Sequence, residues 1–480
     1  MPMMKKDAQL VFVPSPGVGH LVSTIEFVKL LVNRDDRIWV TVLVMKLPFD
    51  TTTGPYTETL ASYERVKVIN LPECHVPTNS DGPSKHTFID DQKPNVKEVV
   101  SNLTRSDSEP QLAAFVVDMF CTTMIDVAKE FGVPTLVFFT SGIAFLGLML
   151  HLHTLRERDN VDISELEESD TELAIPSFVN PVPSKAMPSL VLQKEWETVF
   201  LRFGKGLKEA SGIIVNSFEE LESHAVHSFS GSGVPIYPVG PILNPKAKGD
   251  QVTESHSEIL KWLDDQPHAS VIFLCFGSMG YLDDDQIREI ARALESSGAR
   301  FLWSIRKPPP KGSTSRMVSP SDYSPSDLAA VLPEGFLDRT AGIGRVLGWA
   351  PQAQVLAHPA TGGFVSHCGW NSTLESIYFG VPIATWPLHA EQQTNAFELV
   401  RELKMAVEIA VDYRVDFRTG SNYVLSGEKI ERGIRSVLEK DGEIRKKVKE
   451  MSEKSKKTLS EGGCSSSHLE RLIDYITSQV

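Results

Sequence analysis

Cysteine is scarce in this chain: five residues, at positions 74, 121, 275, 368 and 464, odd in number, scattered and with no C-x-x-C pair. That argues against a disulfide framework and against structural zinc, and it points to a reducing, cytoplasmic setting. An excess of basic charge is also missing. Lys and Arg number 48 against 62 Asp and Glu, a net charge of −14. No basic patch stands out that could neutralise nucleic-acid phosphates or hold an anionic membrane. Long apolar runs are absent too. The best candidate, VPTLVFFTSGIAFLGLMLHLHTL (133–155), is broken by Thr, Ser, Gly and two His residues, and reads as a strand followed by a buried helix. The N-terminal run LVFVPSPGVGH is interrupted by Pro14 and Pro16, which makes it a strand and not a signal peptide. What remains is ordinary for a globular protein, 41% hydrophobic and 23% charged, and 480 residues suggest two domains.

Short apolar runs alternate with amphipathic segments. QLVFVP (9–14), IWVTVLVM (38–45), AAFVVDMF (113–120) and PTLVFFT (134–140) read as strands, with LVSTIEFVKLLVN and TMIDVAKEFG as helices between them. Strands rich in Val, Ile, Leu and Phe suit a parallel sheet covered on both faces. After a polar stretch near 244–257 the pattern restarts with SVIFLCFGSMG, a helix from about Asp284 to Ser297, RFLWSIR, GRVLGW, GFVSH and VPIATWP. The expected fold class is α/β: two doubly wound, Rossmann-like domains facing across a cleft. The expected boundaries are 1–243, a linker at 244–257, 258–455, and a C-terminal helix over 456–480 that packs back on the first domain. In such sheets ligands bind beyond the carboxyl ends of the strands, so motifs there carry the most weight.

One of these is FVSHCGWNSTLES (364–376), a strand, a Cys-Gly turn and a helix closed by Gly380. A helix N-terminus offers unpaired N–H groups and partial positive charge to a phosphate. Ser372-x-x-Glu375 fits a capping box equally well, with Glu375 merely closing its own helix. His20 ends a glycine loop after the first strand, where an imidazole can serve as a general base near neutral pH or simply be a satisfied loop residue. Asp118 directly follows a run of apolar residues. A carboxylate there needs a partner, either His20 or the N-terminus of a helix starting near Thr122.

The window Trp349–Gln392, WAPQAQVLAHPATGGFVSHCGWNSTLESIYFGVPIATWPLHAEQ, strongly resembles the signature box of plant family-1 UDP-glycosyltransferases. The resemblance extends over the whole chain and implies the GT-B architecture, with the acceptor bound by the first domain and the nucleotide sugar by the second. It implies that Trp349 stacks on uracil, with Ala350 and Gln352 reading base and ribose. Glu375 would accept from the ribose hydroxyls. His367, Asn371, Ser372 and Ser278 would hold the diphosphate, and Trp370, Glu391, Gln392 and Thr140 would touch the sugar. The final glutamine goes with glucose donors in this family. It also implies that His20 and Asp118 form the catalytic dyad, with Gly19, Phe120 and Phe145 on the acceptor side.

The implied function is an inverting UDP-glucose-dependent O-glucosyltransferase for small apolar acceptors, phenolic or flavonoid first and terpenoid second. UDP-glucose is a co-substrate, with no other cofactor and no metal. The expected protein is a monomer that neither binds nucleic acid nor inserts in a membrane. Rival readings are a UDP-sugar hydrolase or epimerase on the same fold, and a non-catalytic small-molecule binder. Many relatives read G-H-x-x-P where this chain has Ser23; a position at the start of a helix would tolerate either residue. Asp283 and Asp285 in LDDDQ read as helix-terminal acids and not as a metal site.

Overall fold

Six segments of the first half are strands because each is a run of apolar residues that the sheet buries: β1 (Ala8–Val13), β2 (Ile38–Val44), β4 (Gln111–Asp118), β5 (Thr135–Phe139), β6 (Gly212–Val215) and β7 (Ile236–Pro238), joined by the more exposed β3 (Val66–Asn70). The computed structural model describes residues 6–46, 54–73, 87–105, 110–167, 169–244, 254–309, 320–416, 420–421 and 423–480. All pairings in this sheet are parallel, in the order β3-β2-β1-β4-β5-β6-β7. The order reverses between β1 and β4, which opens a crevice at their carboxyl ends. Helix α1 (Val18–Arg34) covers one face through Leu21, Ile25, Val28 and Val32, spaced at three and four residues. The apolar stretch 133–155 divides into β5 and helix α2 (Ile143–Asp159), whose apolar residues join the first-domain core. Among the described residues no helix is long and apolar enough to cross a membrane.

The second sheet repeats the design with β8 (Val271–Cys275), β9 (Arg300–Ser304), β10 (Gly344–Leu347), β11 (Thr361–Ser366), β12 (Ile383–Thr385) and β13 (Ala406–Glu408), in the order β10-β9-β8-β11-β12-β13. Its reversal falls between β8 and β11. Helix α3 (Asp284–Ser297) follows β8, α4 (Gln352–Ala357) and α5 (Trp370–Phe379) pack on β11, and α6 (Gln392–Phe397) follows β12. Most of the polar stretch expected to link the halves, 245–253, lies outside the described residues.

The two halves meet in a shared apolar cluster: Phe218 and Leu221 from the first, Trp370, Leu374, Ile377, Met405 and Val448 from the second. A segment of the first half is also bonded to the second. Thr394 Oγ1 donates to the Ala186 carbonyl at 2.7 Å, Arg414 to the Met187 carbonyl at 2.7 Å, and the Val179 amide to Glu402 at 2.7 Å. The final helix, α7 (Cys464–Thr477), returns to the first domain and buries Leu469, Leu472, Ile473 and Ile476 in its core. Ser465 Oγ donates to the Gly240 carbonyl at 2.6 Å, which fastens the start of that helix.

Candidate active site

The loop after β1 ends at Gly17, whose φ of +135° only glycine adopts without strain, and α1 starts at the next residue. His20 therefore sits in the first helical turn, facing the end of β4. Its Nδ1 lies 2.8 Å from Asp118 Oδ2 and 3.0 Å from Thr140 Oγ1. The Asp118 side chain is fully buried, while that of His20 is 28% exposed. Asp118 Oδ1 accepts from the Phe120 amide at 3.0 Å. Both carboxylate oxygens are thus committed, and the carboxylate belongs to His20 and the Phe120 turn instead of capping a helix. Nδ1–H is held by acceptors, so Nε2 is the nitrogen left to take a proton. Burial by itself would lower the imidazole pKa, but the charge and hydrogen bond of Asp118, with Glu391 beyond, raise it above 6.5. Thr140, expected at the sugar, stands beside the imidazole.

Across the crevice, β11 runs into Cys368, which adopts the left-handed conformation at φ +62°, and Gly369 precedes α5. Asn395 Nδ2 donates to the Cys368 carbonyl at 2.9 Å and holds this turn. Because α5 begins at Trp370, Ser372 lies inside the helix and the capping box does not form. Instead Ser372 and Glu375 share a face, and Gln352 Nε2 donates to both, at 2.8 Å each. Burial pushes the Glu375 carboxyl up to about 7, with the Gln352 hydrogen bond acting the other way. Trp349, three residues before Gln352, is 38% exposed, a large aromatic surface facing solvent. Ala350 is buried next to it, and Ser278 is exposed on the turn after β8.

His367 is buried, and among the described residues its Nδ1 has no hydrogen-bond partner. Burial, assisted by His389 and opposed by a hydrogen bond to the Cys275 main chain, drops its pKa to about 3, so it is neutral and carries a single N–H. Glycines make room for its ring: a Cβ at Gly277 or Gly369 would lie 2.6 or 2.5 Å from Nε2. Gln392 spends its carbonyl on the amides of Leu388 and His389, at 2.9 and 3.0 Å, and its Nε2 lies 3.4 Å from His389 Nδ1. Burial raises the Glu391 carboxyl, opposed by hydrogen bonds from its own amide and that of Trp370 and by nearby His20.

Two expected site residues are used elsewhere. The Trp370 indole is 3% exposed and donates to the Asn216 carbonyl of the first domain at 2.7 Å. It also packs on Gly142, where an added Cβ would lie 2.9 Å from the ring. Its side chain is an interdomain wedge. Phe145 is 6% exposed and packs on Phe139 in the first-domain core. Phe120, by contrast, lies 5.1 Å from the His20 ring. From it Phe203 and Phe200, at 5.2 and 6.0 Å between successive rings, lead to an apolar pocket lined by Met149, Leu152, Val191 and Leu192. Gly19 is exposed, and its carbonyl accepts from Ser23 and Asn371. Ser23 is the sixth residue of α1, not its start, so a proline there would lose a main-chain hydrogen bond.

Sequence reasoning missed Asn216, which receives the Trp370 indole, and Glu222, whose buried carboxylate accepts from the Ile143 and Ala144 amides at 2.9 and 2.7 Å and fixes the start of α2. Neither carries a local signal, because each is defined by a partner distant in the chain.

The family model for "UDP-glucoronosyl and UDP-glucosyl transferase" matches residues 243–419. The chain is 54% identical to "UDP-glucose flavonoid 3-O-glucosyltransferase 6" of Fragaria ananassa, over 98% of this chain and 99% of that protein. It is also 54% identical to "UDP-glycosyltransferase 71A15" of Malus domestica, over 98% of this chain and all of that protein. Among solved structures, Medicago truncatula UGT71G1 complexed with UDP-glucose superposes with a TM-score of 0.87 at 40% identity, covering 99% of this chain and 100% of that one. A transferase from Siraitia grosvenorii in complex with UDP gives 0.86 at 47% identity, covering 98% and 100%.

Proposed function

Because the chain belongs to the plant family-1 UDP-glycosyltransferases and has their GT-B fold, we propose that it transfers glucose from UDP-glucose to a hydroxyl of a phenolic, flavonoid-type acceptor, with inversion at the anomeric carbon. The observation that carries this reading is the His20–Asp118 pair at 2.8 Å, exposed on the crevice side only through His20.

In the proposed reaction the acceptor oxygen attacks the anomeric carbon from the face opposite UDP. A new C–O bond forms as the bond to the diphosphate oxygen breaks, and its electron pair leaves with UDP. His20 Nε2 takes the acceptor proton, and Asp118 stabilises the imidazolium. The charge arriving on the diphosphate meets the N-terminus of α5, the neutral N–H of His367, and the side chains of Asn371, Ser372 and Ser278. These groups do the electrostatic work for which other transferases use a metal, so activity is expected without one. Trp349 is the plate for uracil, Glu375 the acceptor for ribose hydroxyls, and Glu391 with the Gln392 NH₂ the contacts to glucose.

The names of the relatives favour a flavonoid acceptor, and the aromatic path from His20 to the apolar pocket suits a flat apolar molecule; terpenoids stand second. The reading includes a monomeric cytoplasmic enzyme with no nucleic-acid partner. The test is turnover: purified protein with UDP-glucose, UDP-galactose or UDP-xylose, with and without chelator, against flavonoids, simple phenols and triterpenoids, scored by mass spectrometry. Hexose addition to flavonoids from UDP-glucose, unaffected by chelator and lost in His20→Ala, is expected. Product from another donor alone, or on terpenoids alone, overturns the assignment.

A further inference from the structure

The first two turns of α1 and the start of α5 belong to different domains, yet they are directly hydrogen-bonded. Asn371 Nδ2 donates to the Gly19 carbonyl at 3.3 Å. The Ser23 hydroxyl lies 3.3 Å from Asn371 Oδ1 and 3.0 Å from the same Gly19 carbonyl. A carbonyl can only accept, which fixes the amide of Asn371 with its nitrogen toward Gly19 and its oxygen toward Ser23. Both ends of one carboxamide are therefore held by the first two turns of α1, which carry His20.

A primary amide has two N–H groups and two lone pairs. Gly19 takes one of the first and Ser23 one of the second, so one N–H stays available for a diphosphate oxygen while the bridge remains closed. Ser23 itself is 4% exposed, and its hydroxyl is engaged by the Gly19 carbonyl and Asn371. Its hydroxyl would be absent from a chain with proline at this place.

We propose that Ser23 is a positioning residue: acting through Asn371, it registers the donor-binding domain against the turn bearing the catalytic base. The consequence for rate is geometric. A donor that is bound but shifted relative to His20 and the acceptor spends less time aligned for attack, so turnover falls more than binding does. Because Ser23 shares its single proton between two acceptors, the loss on removing it is that of one modest hydrogen bond, about 2- to 10-fold in rate.

The inference rests on reading Asn371 as a diphosphate ligand, and the two are tested separately by a double-mutant cycle in the full chain. Ser23→Ala, Asn371→Ala and the double variant are assayed for kcat and for both KM values with UDP-glucose and a flavonol that the wild type turns over. UDP affinity is measured by calorimetry. Alanine suits a helix interior, and melting temperature confirms that each variant is folded. Ser23→Ala is expected to lower kcat about 2- to 10-fold with acceptor KM within about twofold, and to have no further effect once Asn371 is alanine. An equal loss from Ser23→Ala on both backgrounds, or no loss in either, overturns the inference. Asn371→Ala that binds UDP as tightly as wild type overturns the diphosphate reading instead.

Discussion

Replacing Asp118 by asparagine tests the catalytic dyad with almost no change in volume, and the structure dictates how it should fail. One oxygen of Asp118 accepts from His20 Nδ1 at 2.8 Å and the other from the Phe120 amide at 3.0 Å. Asparagine has one oxygen and one NH₂. If the NH₂ faces the Phe120 amide, two donors oppose each other in a buried site, so the oxygen must go there. The NH₂ then points at Nδ1 and makes that nitrogen an acceptor, which moves the ring proton to Nε2. Nε2 can no longer take the acceptor's proton. The corresponding change in a hydrolase triad costs about 10⁴ in kcat, and general-base assistance as a whole about 10² to 10⁴. We expect kcat to fall about 10³-fold, equivalent to about 4 kcal/mol of barrier, with the KM for UDP-glucose little changed.

The pH profile gives an independent readout. In the proposed reaction the base form of His20 is the active one, and its pKa is raised above 6.5 against the opposing effect of burial. Wild-type kcat should therefore fall as pH drops through a value above that of free histidine. Without the Asp118 charge, burial dominates and the acid limb of any residual activity moves to lower pH. Initial rates from about pH 5 to 9 at saturating substrate, followed by liquid chromatography, measure both effects. Asp118→Asn that keeps more than about a tenth of wild-type kcat with an unshifted profile refutes the orienting role of Asp118.

In the proposed reading Glu375, raised to about 7, accepts from ribose best as the carboxylate, so UDP should bind more tightly as pH rises through that value. Calorimetry should show Glu375→Gln weaker by about tenfold or more at pH 8 and flat with pH; an unchanged slope in the variant assigns the titration to another group. Trp349→Ala removes the exposed ring and should weaken UDP about 5- to 100-fold, the usual range for a base stacked on an aromatic side chain, while unchanged affinity would place uracil elsewhere. At Gly142 the backbone conformation is open to any residue, but an added Cβ meets Trp370 at 2.9 Å and Glu222 at 3.0 Å. Gly142→Ala should cost about 1–3 kcal/mol through overpacking at the domain interface and lower the melting temperature in calorimetry. An unaltered melting temperature would show that the interface gives way there.

The periodicity of the chain determined the two parallel α/β units, because a strand buried on both faces must be continuously apolar and a covering helix must repeat at three and four residues. The donor box determined the family, and the resemblance implied that His20 and Asp118 belong together; the structure brings them to 2.8 Å at strand ends, where a doubly wound sheet puts its ligands. Local sequence did not determine where helices begin. Ser372-x-x-Glu375 looks like a capping box, but Asn395 holds Cys368 in a left-handed turn and α5 starts at Trp370, turning both side chains toward Gln352. Nor did it determine what Trp370 faces: its indole donates to Asn216, 154 residues away. The same holds for Ser23, whose hydroxyl meets Asn371 348 residues later. Such contacts depend on how two separately built domains dock, and that geometry is set by the tertiary packing of Phe218 and Leu221 against α5, not by the neighbours of any one residue in the chain.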